Sequence, residues 1–127
     1  MTKKKICIID DDPIYQLVTK KIIEKSSYFP IVDSFTNGLE AISHFKKSAS
    51  LPEVILLDIE MPIMDGWDFL TEITAIREQF NTHTNIYIVS SSIAKEDKEK
   101  ALTYDVIKGF ISKPVTISKI EKIANTD

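Results

Sequence analysis

Ile6-Cys7-Ile8-Ile9-Asp10-Asp11-Asp12 runs four apolar residues straight into three aspartates. The pattern returns at Val54-Ile55-Leu56-Leu57-Asp58, where an apolar run again stops at a carboxylate. Short, continuously apolar runs of this length are those of strands buried on both faces, as in parallel sheets covered by helices. Ligands of such sheets bind beyond the carboxyl ends of the strands, where the strand order reverses. Both aspartate groups fall at such ends. Like charges held close together cost free energy. A hard divalent cation with oxygen ligands offsets that cost, and Mg²⁺ suits a site with few carboxylates and several waters. These two stretches therefore point to a sheet-edge site that binds Mg²⁺ and does its chemistry at an aspartate.

Moving outward, strand and helix signals alternate. Ile14, Leu17, Val18, Lys21 and Ile22 follow the first run at helical spacing, with Asp12 as the cap before Pro13. Pro30 to Phe35 reads as a second strand, and Leu39, Ile42 and Phe45 mark a second helix opened by Thr36-Asn37-Gly38. The third strand, Glu53 to Asp58, leads through the loop Met61 to Gly66 into a helix carrying Trp67, Leu70, Ile73 and Ile76. Ile86 to Val89 is a fourth strand ending at Ser90-Ser91-Ser92. Residues 94–104 are charged and poor in apolar anchors. Val106 to Ile111 is a fifth strand before Ser112-Lys113-Pro114, and Val115 to Ala124 is a short closing helix with Ile117, Ile120 and Ile123. The expected fold is α/β, a doubly wound five-stranded parallel sheet with helices on both faces.

At 127 residues the expectation is one domain spanning 1–127, with no output domain after it. A net charge of −3 argues against direct binding of nucleic acid, which needs a basic face. The Lys3-Lys4-Lys5 run reads as a solvated start. Cys7 is the sole cysteine, so no internal disulfide forms, and the cytoplasm is the expected compartment. Cys7 reads as a small core residue. No apolar run approaches the roughly 18 residues of a membrane span, so no membrane association is expected. His44 and His83 have no partner at metal-ligand spacing.

The residues that end the strands form one chemical set: Asp10, Asp11 and Asp12, then Asp58, then Ser90, then Lys113. It suits phosphoryl transfer to a carboxylate. Asp58 attacks phosphorus in line, Mg²⁺ and Lys113 neutralise the phosphoryl oxygens, and the Ser90 hydroxyl donates to one of them. An ionised carboxylate needs no general base.

Four stretches then carry a family likeness: Ile8 to Pro13, Leu56 to Gly66, Val89-Ser90-Ser91 and Gly109 to Pro114. Together, in order, they resemble a response-regulator receiver domain of two-component signalling, of the stand-alone chemotaxis-regulator kind. The resemblance implies strand order 2-1-3-4-5 and phosphorylation at Asp58. It implies Mg²⁺ held by Asp10, Asp11, Asp58 and the Glu60 backbone carbonyl, and a switch at Ser90 and Phe110. It implies a sensor histidine kinase or histidine phosphotransferase as phosphoryl donor, and a downstream protein target or relay as output. Self-catalysed loss of the phosphoryl group would be the chain's only further catalysis.

Three features depart from the family pattern. Phe110 replaces a frequent tyrosine, residues 104–108 lack the usual small residues, and the last helix is short. An aspartyl-phosphate phosphatase would need an aspartate where Glu60 stands. A degenerate receiver acting only as a binding module would not need the intact acidic, hydroxyl and lysine set. A flavodoxin-like cofactor binder would present these carboxylates to a phosphate.

Overall fold

The computed structural model describes residues 5–48, 50–58, 66–80, 84–90 and 95–126. Five strands, β1 (Lys5–Ile9), β2 (Ile31–Phe35), β3 (Val54–Leu57), β4 (Asn85–Ser90) and β5 (Ile107–Ser112), alternate with five helices. These are α1 (Pro13–Ser26), α2 (Gly38–Ser48), α3 (Gly66–Phe80), α4 (Lys95–Ala101) and α5 (Ile117–Ala124). All strand pairs are parallel, and the order is β2-β1-β3-β4-β5. The expected fold class and strand order are both present.

Strand alternation divides the core in two. Cys7, Ile9, Ile55, Leu57, Ile86 and Ile88 pack with residues of α2, α3 and α4 on one face. Ile6, Ile8, Val54, Leu56, Tyr87 and Val89 pack with Ile23 of α1 and Ile120 and Ile123 of α5 on the other. β1, β3 and β4 are thus apolar on both sides because both sides are covered. Each fully buried Ile or Leu contributes about 1.5–3 kcal/mol, so the sheet centre dominates the stability. Cys7 is completely buried, which pushes its thiol pKa far up and makes it a core residue.

The α1 stripe is a correction. Ile14, Leu17 and Val18 are 75%, 55% and 47% exposed. Ile22 of that stripe does face inward, but with Tyr15, Thr19 and Ile23 rather than with Ile14, Leu17 and Val18. The helix is apolar on more sides than the sheet can cover, and only its neighbours decide which side is used. The fifth strand starts one residue later than expected, at Ile107, although Val106 is buried. Asp12 caps α1 as expected, accepting from the amides of Ile14 and Tyr15. Among the described residues no helix is long and apolar enough to cross a membrane. The expectations for Lys3, Lys4, Glu60, the Met61 to Asp65 loop, His83, Ser91 and Ser92 lie outside the described residues.

Candidate functional site

The chain places β2 on one side of β1 and β3 on the other, so the order reverses between β1 and β3. Their register aligns Ile9 with Leu57, which puts the next residues, Asp10 and Asp58, side by side. The Asp58 amide donates to the Ile9 carbonyl at 3.0 Å, carrying the ladder one step past the strand. Carboxylate oxygens of Asp10, Asp11 and Asp58 lie within 4.8 Å of one another. Asp10 is buried, Asp58 half-buried and Asp11 exposed, so the cluster opens to solvent on the Asp11 side. An all-oxygen, anionic donor set of this spread fits Mg²⁺.

Backbone hydrogen bonds hold the first aspartate. The Asp10 amide donates to the Phe35 carbonyl at 3.1 Å, and Asp10 Oδ1 accepts the Asp12 amide at 2.9 Å. The Gln16 side-chain amide donates to the Asp10 carbonyl at 2.8 Å and also to the Phe35 carbonyl, tying α1 to the ends of β1 and β2.

Lys113 enters from beyond β5. Its amide donates to the Ser90 carbonyl at 3.0 Å, which joins the ends of β4 and β5. Its Nζ lies 3.3 Å from Asp10 Oδ2 and 3.8 Å from Asp58 Oδ2. Burial opposes the ammonium charge, but the Asp10 and Asp58 carboxylates outweigh it and raise the Lys113 pKa above its ordinary value. Lys113 therefore stays cationic across the neutral range. The same Nζ stands 4.2 Å from the centroid of the Tyr15 ring. Burial raises the Tyr15 pKa, opposed by its hydrogen bond from the Val115 amide.

Ser90 closes β4 and is buried. Phe110 pairs in register with Ile88 and packs, partly buried, on the α2–α4 face of the sheet. Asp12 is exposed and serves as the helix cap. Trp67 is packing: its ring stacks on Tyr104 with centroids 6.3 Å apart, under Lys100 Nζ at 4.6 Å. His44 is exposed and belongs to no group of potential metal ligands among the described residues.

The structure thus unites Asp10, Asp11, Asp58 and Lys113 and sets Ser90 beside them in the neighbouring strand. Two site residues were absent from the sequence reading, Tyr15 and Gln16. Nothing in the spacing of either one marks it, because a tyrosine or glutamine in a first helical turn is ordinarily surface or packing.

The family model for the response regulator receiver domain matches residues 6–125. The chain belongs to that family. Among its relatives, the chemotaxis protein CheY of Halobacterium salinarum is 32% identical over 111 residues, 87% of this chain and 85% of that protein. A probable C4-dicarboxylate response regulator of Halalkalibacterium halodurans is 32% identical over 118 residues. The match covers 92% of this receiver but only 48% of that longer regulator. Among solved structures, a two-component response regulator from Cytophaga hutchinsonii superposes with a TM-score of 0.88 at 26% identity, covering 98% of this chain and 96% of that one. The receiver fold and membership in two-component signalling follow.

Proposed function

We propose that this receiver accepts a phosphoryl group on Asp58 from a phosphohistidine of a sensor kinase or a histidine phosphotransferase, and signals by changing its affinity for a protein partner or by relay. The observation that carries the reading is the convergence of Lys113 Nζ on Asp10 and Asp58, which come from the ends of three different strands. In the transfer, an Asp58 carboxylate oxygen forms the new P–O bond as the phosphorus–nitrogen bond of the donor imidazole breaks, and the imidazole takes up a proton. Lys113 neutralises an equatorial phosphoryl oxygen, and the Ser90 hydroxyl donates to another. Asp10, Asp11 and Asp58, with the Glu60 backbone carbonyl that the resemblance implies, would hold Mg²⁺, which supplies further neutralisation of phosphoryl charge when bound. The reading takes the chain as one receiver domain, in line with the family model over residues 6–125.

Output through α4, β5 and α5 is part of the same proposal. A phosphoryl group at Asp58 would draw the Ser90 hydroxyl inward and give Phe110 room to turn, biasing two states of the adjoining segment. Supporting this, Phe110 sits on the α4 side of the sheet, and of the seven α4 residues Ala101 alone is buried.

The test is mass measurement after incubation with a small acyl phosphate and Mg²⁺. The wild-type protein gains one phosphoryl group and Asp58→Asn gains none. Equal labelling of Asp58→Asn removes Asp58 as the acceptor.

A further inference from the structure

We propose that Tyr15 is a positioning residue for Lys113, its ring holding the ammonium at the acidic cluster and its hydroxyl bracing the loop that carries the lysine. The inference rests on the phosphoacceptor reading of Asp58.

Tyr15 meets the lysine-bearing segment twice. The ring centroid is 4.2 Å from Nζ, within the roughly 6 Å reach of a cation–π contact. The hydroxyl accepts the amide of Val115 at 3.3 Å, two residues past the lysine. Tyr15 is itself anchored, because its amide donates to Asp12 Oδ1 at 3.2 Å in the first turn of α1. One side chain therefore links the aspartate-bearing loop after β1 to the lysine-bearing loop after β5.

The lysine needs such a link. Its flexible four-carbon stem carries a compact, strongly hydrated charge that does not by itself select one position. The Lys113 side chain is 22% exposed, so water competes for the ammonium. An aromatic face attracts the charge without taking an N–H donor, so the donors remain for Asp10 and for an incoming phosphoryl oxygen.

Two measurements test this. The first is the rate of Asp58 labelling by a small acyl phosphate with Mg²⁺ in wild type, Tyr15→Phe, Tyr15→Leu, Lys113→Ala and the Tyr15→Leu/Lys113→Ala double variant. Tyr15→Leu is expected to slow labelling by about 2- to 30-fold, the range a cation–π contact spans when converted to a rate. Tyr15→Phe, which keeps the ring, falls between it and wild type. In the Lys113→Ala background the Tyr15→Leu effect vanishes, because residues acting as one unit are not additive. Wild-type rates in Tyr15→Leu, or the same loss with and without Lys113, overturn the proposal. The second measurement needs no variant to fold: in wild type the Lys113 ε-methylene protons should resonate upfield through the ring current, and an unshifted signal overturns the contact. A wild-type protein that takes no label, but keeps that upfield shift, would instead overturn the phosphoacceptor reading.

Discussion

At the scale of single residues, the site gathers three carboxylates beside one lysine among the described residues. Asp10 and Asp58 share the Lys113 ammonium, which lies nearer Asp10, and the Asp11 carboxylate completes the cluster. Removing the Asp58 charge leaves the closer ion pair intact and relieves repulsion. In chelator, Asp58→Asn should therefore be more stable than wild type by on the order of 1 kcal/mol. Functional sites commonly carry such a stability cost. Denaturant unfolding in chelator measures it, and a clear loss of stability would mean that the 3.8 Å Lys113 contact outweighs the repulsion. Legibility at this scale was uneven. Asp10, Asp11, Asp58 and the Asp12 cap could be read locally because each follows an apolar run or precedes a helix. Tyr15 could not, because its role depends on a lysine almost a hundred positions away.

At the scale of elements, the helices differ in how firmly they are held. α3 buries Phe69, Leu70, Ile73 and Ile76 against the sheet, whereas α4 is fixed mainly by Ala101, the Trp67–Tyr104 stack and Lys100 over Trp67. Few buried apolar contacts mean a low local opening free energy. Backbone amides of α4 should exchange at least about tenfold faster than those of β3, the factor that ~1.4 kcal/mol commands. On phosphorylation, exchange changes should concentrate between Ser90 and Lys119. Changes confined to residues 13–45 would overturn the Ser90 and Phe110 switch. The weak anchoring of α4 was legible from its run of charges. The buried face of α1 was not, since Ile14, Leu17 and Val18 satisfy helical periodicity as well as the residues that are actually covered.

At the scale of the molecule, the site is built only when the sheet is built, because its members come from the ends of β1, β3 and β5. A ligand of the assembled site therefore stabilises the whole fold. Mg²⁺ at a hundredfold excess over its Kd should add about 2.7 kcal/mol, a rise in Tm of about 10 °C for a chain of this size. Asp11→Ala should lose most of that rise while melting no lower than wild type in chelator. Equal Mg²⁺-dependent shifts in the two proteins, followed by calorimetry, would remove Asp11 as a major ligand.

The sequence by itself determined the α/β class, the parallel strands and the carboxylates that end them. Those features rest on local physics: a strand buried on both faces must be apolar throughout, so the carboxylates stand beyond its last ladder residue. The tertiary structure alone decided the meetings. The β1–β3 register sets Asp10 beside Asp58, the closing of β5 against β4 delivers Lys113 to both, and the packing of α1 turns Tyr15 inward beneath that lysine while leaving its more apolar neighbours in water. Such contacts join residues far apart in the chain, and no local pattern specifies which of several suitable faces the neighbouring elements will cover.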